Sequence, residues 1–223
     1  SEFTNAGVYT FVASIDSDCY ELNNWESEDV TIDKAIIETP SLDEDEFTYN
    51  SDIQLPQISK ADEKLTISYA NSNSISVGEY TATISILDSY YNNYEFDGKL
   101  QSIEFTYNIT KAPLEIVVQD QTYEFGTTLA TIFSKQQIIN GLVELGEGTL
   151  YEGDFLDTTN AKLISSNYMI RDDALYGPST YNLSIEGITN KNYEISVTDG
   201  TLTITKKETY LVWDGYTDLV YSP

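Results

Sequence analysis

The chain has 223 residues, 11 Lys plus Arg against 37 Asp plus Glu, and a formal charge of −26. That balance argues against nucleic acid, whose phosphates need a basic face, and against an anionic membrane surface. The absence of histidine removes Ser-His-Asp and Cys-His chemistry and every His-ligated metal site.

Residues 7–15, opening Gly7-Val8-Tyr9-Thr10-Phe11, alternate with period two, the pattern of a half-buried strand. The same design returns at 78–86, opening Gly78-Glu79-Tyr80-Thr81-Ala82, and more loosely at 177–185. In the middle copy Tyr80, Ala82, Ile84 and Ile86 share one face, and Glu79, Thr81, Thr83 and Ser85 the other. An Asn-rich element follows each copy: Asn23-Asn24-Trp25-Glu26, Asn92-Asn93-Tyr94-Glu95 and Lys191-Asn192-Tyr193-Glu194. Asn tolerates the left-handed backbone of tight turns, so each reads as a hairpin turn or its exit. Alternating segments at 30–34, 105–111 and 202–206 then close the copies, ending at Lys34, Lys111 and Lys206. Opening segments are Phe47-Thr48-Tyr49-Asn50-Ser51, Thr122-Tyr123-Glu124-Phe125-Gly126 and Leu219-Val220-Tyr221-Ser222-Pro223.

Two whole modules therefore run 38–112 and 113–207. Residues 1–37 are the closing part of a module before them, and 208–223 the start of one after them. Pro40 and Pro113 read as linker prolines. The later module is lengthened between 127 and 174, where Leu129, Ile132, Phe133, Ile138 and Ile139 break the two-residue period. A short helix near 129–140, ending by Gly141, is expected there. Gly146-Glu147-Gly148 and Glu152-Gly153-Asp154 read as turns. No apolar run reaches the ~18 residues of a spanning helix, and no signal-peptide pattern opens the chain, which reads as a mature or internal segment.

Gly-x-Tyr-x-Ala at Gly78, Tyr80 and Ala82 resembles the penultimate strand of an immunoglobulin-like sandwich. In that fold a tyrosine near the strand start bonds back to the chain and pins a corner. Tyr9 and Tyr80 stand at that place, while Phe11 and Ala82 stand where the disulfide cysteine would be. The 113–207 stretch resembles the MBG-type repeats of bacterial cell-surface proteins. The likeness lies in Tyr181-Asn182-Leu183-Ser184-Ile185, Asn192-Tyr193-Glu194-Ile195 and Gly200-Thr201-Leu202-Thr203-Ile204-Thr205-Lys206. The 38–112 stretch is similar to a related immunoglobulin-like repeat through Phe47-Thr48-Tyr49-Asn50 and Gly78-Glu79-Tyr80. The resemblance implies tandem sandwich domains in an extracellular adhesin or stalk, at a bacterial surface or secreted, and brings no catalytic residues.

Candidate sites are few. Asp16-Ser17-Asp18 and Asp43-Glu44-Asp45-Glu46 are the candidate calcium ligands, although neither has the Asp-x-Asp-x-Asp-Gly loop pattern. No other cofactor is expected. Tyr90, Tyr91 and Tyr94, with Trp213 and Tyr216, are candidate sugar-stacking rings, or else edge residues of the core. Lys34, Lys111 and Lys206 recur at the position that a Lys-to-Asn crosslink would need, though module ends favour solvent exposure. Cys19 has no second thiol to work with, which excludes an internal disulfide and a Cys-rich zinc site. It reads as a buried small residue. The triplets beginning at Asn108 and Asn182 match a glycosylation acceptor but lie inside expected strands. Small repeated modules rarely hold the deep cleft that paired carboxylates need for glycoside hydrolysis.

The sequence thus reads as an all-β array of immunoglobulin-like modules acting as a non-catalytic stalk or spacer. Its expected partners are neighbouring repeats of the same chain. The alternative is a binding module that recognises a glycan or host protein through the turn tyrosines or the 127–174 insertion.

Overall fold

In the computed structural model, which describes residues 3–23, 27–60, 62–137, 141–165 and 178–212, the period-two stretches become strands. The chain divides into two units, Ser1–Lys111 and Ala112–Pro223. The first carries β1 (Gly7–Phe11), β2 (Glu28–Ile32), β3 (Ala35–Ile37), β4 (Glu46–Thr48), β5 (Leu65–Tyr69), β6 (Gly78–Ile86), β7 (Tyr94–Phe96) and β8 (Ser102–Thr110). The second carries β9 (Ala112–Val118), β10 (Gln121–Glu124), β11 (Val143–Gly148), β12 (Lys162–Ile164), β13 (Ser179–Glu186), β14 (Tyr193–Thr198) and β15 (Gly200–Thr205). The protein is all-β, and among the described residues helical structure is confined to short turns.

The two units repeat one topology. The first has a four-stranded sheet ordered β4-β8-β6-β5 and a two-stranded sheet β3-β7. The second has β10-β15-β13-β12, and β9-β14 with β11 added on the outer edge of β9. Register matches as well. Tyr80 stands opposite Tyr107 on the β6–β8 pair, and Tyr181 opposite Leu202 on β13–β15.

Alternation decides which face is buried. On β6, Ala82, Ile84 and Ile86 are inside and Glu79 is out. Ile84 and Ile86 pack with Phe96 of β7, so the small sheet closes over the large one. In the second unit Ile116 and Val118 of β9 meet Leu183, Ile185, Leu202 and Ile204 in a single core. Each such side chain contributes about 1.5–3 kcal/mol on burial.

The Asn-rich turns differ from plain hairpins. After β6 the chain turns through 88–93 and enters β7, which pairs in parallel with β3, Ala35 opposite Tyr94. It then returns through a 3-10 turn (Asp97–Lys99) to β8, the antiparallel neighbour of β6. The aromatic after the Asn pair marks a change of sheet. The second unit repeats this, with Tyr193 of β14 opposite Ala112 of β9.

Two expectations are corrected. Pro113 is the second residue of β9, opposite Glu194, and not part of a linker. An exposed proline at the start of a strand costs little because the ladder has barely begun. Gly146-Glu147-Gly148 is no turn; it ends β11, with the register shifting between Leu145 and Gly148. The short helix expected near 129–140 is present: among the described residues it forms two short pieces, α1 (Leu129–Ile132) and α2 (Lys135–Gln137), with Ile132 buried in the core. Ile138 and Ile139 lie outside the described residues.

Candidate functional site

The feature shared most closely by both units is the pairing of each opening strand with its closing strand. β4 runs parallel to β8, with Glu46, Phe47 and Thr48 opposite Asn108, Ile109 and Thr110. β10 runs parallel to β15, with Tyr123 opposite Ile204 and Glu124 opposite Thr205. An aromatic therefore faces an isoleucine in each pair. The next bonds also coincide. Tyr49 N–H donates to the Thr110 carbonyl at 2.9 Å, and Phe125 N–H to the Thr205 carbonyl at 2.9 Å. The Thr110 hydroxyl donates to the Phe47 carbonyl at 3.0 Å, and the Thr205 hydroxyl to the Tyr123 carbonyl at 3.3 Å.

An aromatic layer backs the first pair. Tyr107 is fully buried and stacks on Tyr80 with ring centroids 5.6 Å apart. Phe47 and Tyr69 meet it edge-on at 6.2 and 6.5 Å. Ser74, also fully buried, donates to the Asn71 carbonyl at 2.8 Å. Its proton is thereby used, so the 2.9 Å Ser74–Tyr107 hydroxyl contact has Tyr107 as donor.

Tyrosine corners occur at both sites where the sequence places them. Tyr9 Oη donates to the Asn5 carbonyl at 2.8 Å, and Tyr80 Oη to the Ser76 carbonyl at 2.7 Å. Each ring lies over the glycine two residues before it. Among the described residues, three hydrogen bonds join the residues flanking the β1–β2 hairpin to the 88–93 turn. Asn93 Oδ1 accepts from Ala6 N–H, Asn93 Nδ2 donates to Asn5 Oδ1, and Lys34 Nζ donates to the Tyr91 carbonyl.

Asp43 Oδ1 accepts from the N–H groups of Glu44 and Gln57, tying 43–44 to 57. Ser17 accepts from Cys19 N–H, and Cys19 is exposed, not buried. Among the described residues no three acidic or thiol side chains gather where they would hold a metal ion. Tyr90 and Tyr94 are half-buried, pack on the Ile84–Ile86–Phe96 core and meet edge-on at 5.9 Å. They are edge residues of that core. Lys64 Nζ lies 5.5 Å over the Tyr94 ring while paired with Asp62 at 3.2 Å, so the protein's own cation faces that ring. The groove beside them, about 490 Å³, is lined by Ile36, Pro40, Asp62, Lys64 and Tyr94. Trp213 and Tyr216 lie outside the described residues. Lys111 and Lys206 are exposed. Asn108 and Asn182 lie within β8 and β13.

Acidic side chains in the second unit act as acceptors for neighbouring strands. Glu115 on β9 accepts from the Thr198 hydroxyl and, at 3.0 Å, from Glu147 N–H. These bonds hold its carboxyl below the ordinary range, the Thr198 bond most strongly. Asp120 is lowered likewise by its bond from Thr201. Sequence reasoning missed Thr110, Thr205 and Glu115, and read Asn93 as a turn residue without its bonds to Asn5 and Ala6. The recurring Ile-Thr-Lys at 109–111 and 204–206 is the signal that marks the two threonines.

No family model matches the chain, and no curated protein matches it.

Proposed function

We propose that this chain is a non-catalytic spacer that carries tension, a stalk segment of a large bacterial surface adhesin. The observation that supports it is the parallel pairing of opening and closing strands in both units. Tension reaches β4 or β10 at its N-terminal end, after β3 or β9, and leaves the module at the C-terminal end of β8 or β15. In a parallel pair those two points lie at opposite ends of the ladder. The pull then runs along the strands and loads every hydrogen bond of the pair together. An antiparallel hairpin pulled at its adjacent ends opens one bond at a time. The threonine hydroxyls of Thr110 and Thr205 add a further bond across each pair.

The negative charge suits this role, since like-charged neighbours repel and remain soluble. Nothing in the role needs a pocket or a reactive group. Tyr90 and Tyr94, packed on the core, with Lys64 over the Tyr94 ring, give no support to sugar stacking. Stretching single molecules of the full chain by its ends tests the proposal. Two abrupt, all-or-none extensions are expected, with released lengths matching 46–110 and 121–205. Gradual lengthening at low force would refute it.

A further inference from the structure

The groove beside Tyr94 has a counterpart in the second unit that the chain itself fills. Ala35 stands opposite Tyr94 as Ala112 stands opposite Tyr193, so the two tyrosines hold one place in the repeated topology. Leu65 and Leu163 correspond likewise, opposite Ile86 and Ile185. The surroundings of the two rings differ because the connecting segments differ in length. From β4 to β5 the chain runs through 49–64, and from β10 to β12 through 125–161.

The longer segment covers Tyr193. Residues 151–154 form a turn closed by a 3.0 Å bond from Asp154 N–H to the Tyr151 carbonyl. Gly153, at φ 88°, supplies the left-handed third residue of that turn. Two groups thereby meet one hydroxyl. Tyr193 Oη donates to the Asp154 carboxylate at 2.6 Å and accepts from Tyr151 N–H at 3.0 Å. The Tyr151 and Tyr193 ring centroids are 6.4 Å apart, and Tyr193 is 2% exposed.

Tyr94 lacks that cover. It is half-buried, and among the described residues no group bonds its hydroxyl. Its ring lines the groove of about 490 Å³ together with Ile36, Pro40, Lys60 and Lys64. Ile36 is 59% exposed. The groove's own carboxylates are Glu38 and Asp62. Asp62 is paired with Lys64, while Lys60 is exposed and makes no ion pair among the described residues. Pro40 stands where β9 has Val117, opposite Glu144 of β11, and has no N–H to give. An incoming chain therefore gains little from strand pairing here, and side chains carry the recognition.

We infer that this groove binds a turn of a partner protein that carries an aromatic residue and, three positions on, a carboxylate. The carboxylate accepts from the Tyr94 hydroxyl, as Asp154 accepts from Tyr193, and the ammonium groups of Lys60 and Lys64 favour an acid at that point. The aromatic ring lies beside Tyr94, as Tyr151 lies beside Tyr193, and shields Ile36 from water. The overall charge of −26 repels acidic chains at a distance, so recognition rests on these local groups. The groove stands apart from the β4–β8 pair, giving the spacer a lateral docking point.

The test is fluorescence anisotropy with a dye-labelled peptide copying residues 148–157, which carries the Tyr151–Asp154 turn. It is titrated with the full chain at about 150 mM salt, where repulsion beyond ~8 Å is screened. Saturable binding is expected. Tyr94→Phe in the protein, or Asp154→Asn in the peptide, should each weaken it about tenfold. Combined, they should weaken it by far less than the product of the two, because both remove the same bond. Tyr94→Phe keeps the ring, and circular dichroism checks that the variant is folded. Absence of saturable binding, equal affinity of wild type and Tyr94→Phe, or equal affinity of the Asp and Asn peptides would overturn the inference. No tension is applied, so failure here leaves the mechanical reading standing.

Discussion

The side chain of Asn93 and the backbone N–H of Ala6 are joined at 2.8 Å, across 87 residues of chain. The same side chain donates to Asn5 Oδ1 at 2.9 Å. One residue in a turn thus orients the start of the β1–β2 hairpin, and its own carbonyl accepts from Ala35 N–H where β3 begins. Asn93→Ala removes the side-chain bonds and leaves the carbonyl in place. Half-exposed hydrogen bonds contribute about 0.5–1.5 kcal/mol each. Amide exchange of Val8–Phe11 should quicken several-fold, while exchange in β6 and β8 stays unchanged.

The Ser74–Tyr107 contact gives an ordering of costs. Ser74→Ala removes the acceptor that the buried Tyr107 hydroxyl has in the fold, which costs about 1–3 kcal/mol. Tyr107→Phe removes the donor itself, keeps the aromatic layer and costs about 1 kcal/mol. Urea denaturation of the first unit should rank Ser74→Ala below Tyr107→Phe. The double variant should recover part of the Ser74→Ala loss.

Glu115 makes the second unit sensitive to acid. Its carboxyl is lowered in the folded state by bonds from Thr198 and Glu147, and the unfolded chain lacks those bonds. A group lowered on folding contributes stability that is complete above its unfolded value, near ~4.3, and is lost as pH falls through the folded value. Acidification also relieves repulsion within a chain of charge −26, which acts in the opposite direction. Comparison with Glu115→Gln separates the two. Between neutral pH and pH ~3, wild-type stability should fall relative to the variant, as measured by thermal melts.

Gly200 opens β15 where that strand crosses close to the end of β9. A Cβ there would stand 2.4 Å from the Val118 carbonyl oxygen and 3.0 Å from Gln119 backbone atoms. Backbone cannot step aside as a flexible side chain does. Gly200→Ala should cost the second unit about 1–3 kcal/mol, seen as a lowered melting temperature with the first unit unaffected.

Much of the layout was legible in the chain because alternation is a local signal. Ala82, Ile84 and Ile86 face inward as their spacing requires, and the Tyr9 and Tyr80 corners form four residues from their acceptors. Pairing between distant strands was not legible. Nothing near Pro113 says that it stands opposite Glu194, because that register is set by the whole β9–β14 ladder. Gly146 looked like a turn residue, but it is small because Glu115 and Val117 pass beside it. The turn tyrosines were ambiguous for a similar reason. A ring beside Asn93 reads alike whether it meets solvent or Ile84, and only the sheet change into β7 decides. Thr110 and Thr205 looked like ordinary outward strand residues until their parallel partners supplied carbonyls to bond.

The most direct measurement is end-to-end stretching of the wild type beside Phe125→Pro. Phe125 is 44% exposed, and its N–H bonds the Thr205 carbonyl across the β10–β15 pair. Proline deletes that N–H with little disturbance to the core. The wild type should give two abrupt unfolding events, and the variant should lower the force of the second unit's event alone. Equal forces for both proteins, or lengthening without abrupt events, would contradict a role in which the paired terminal strands resist tension.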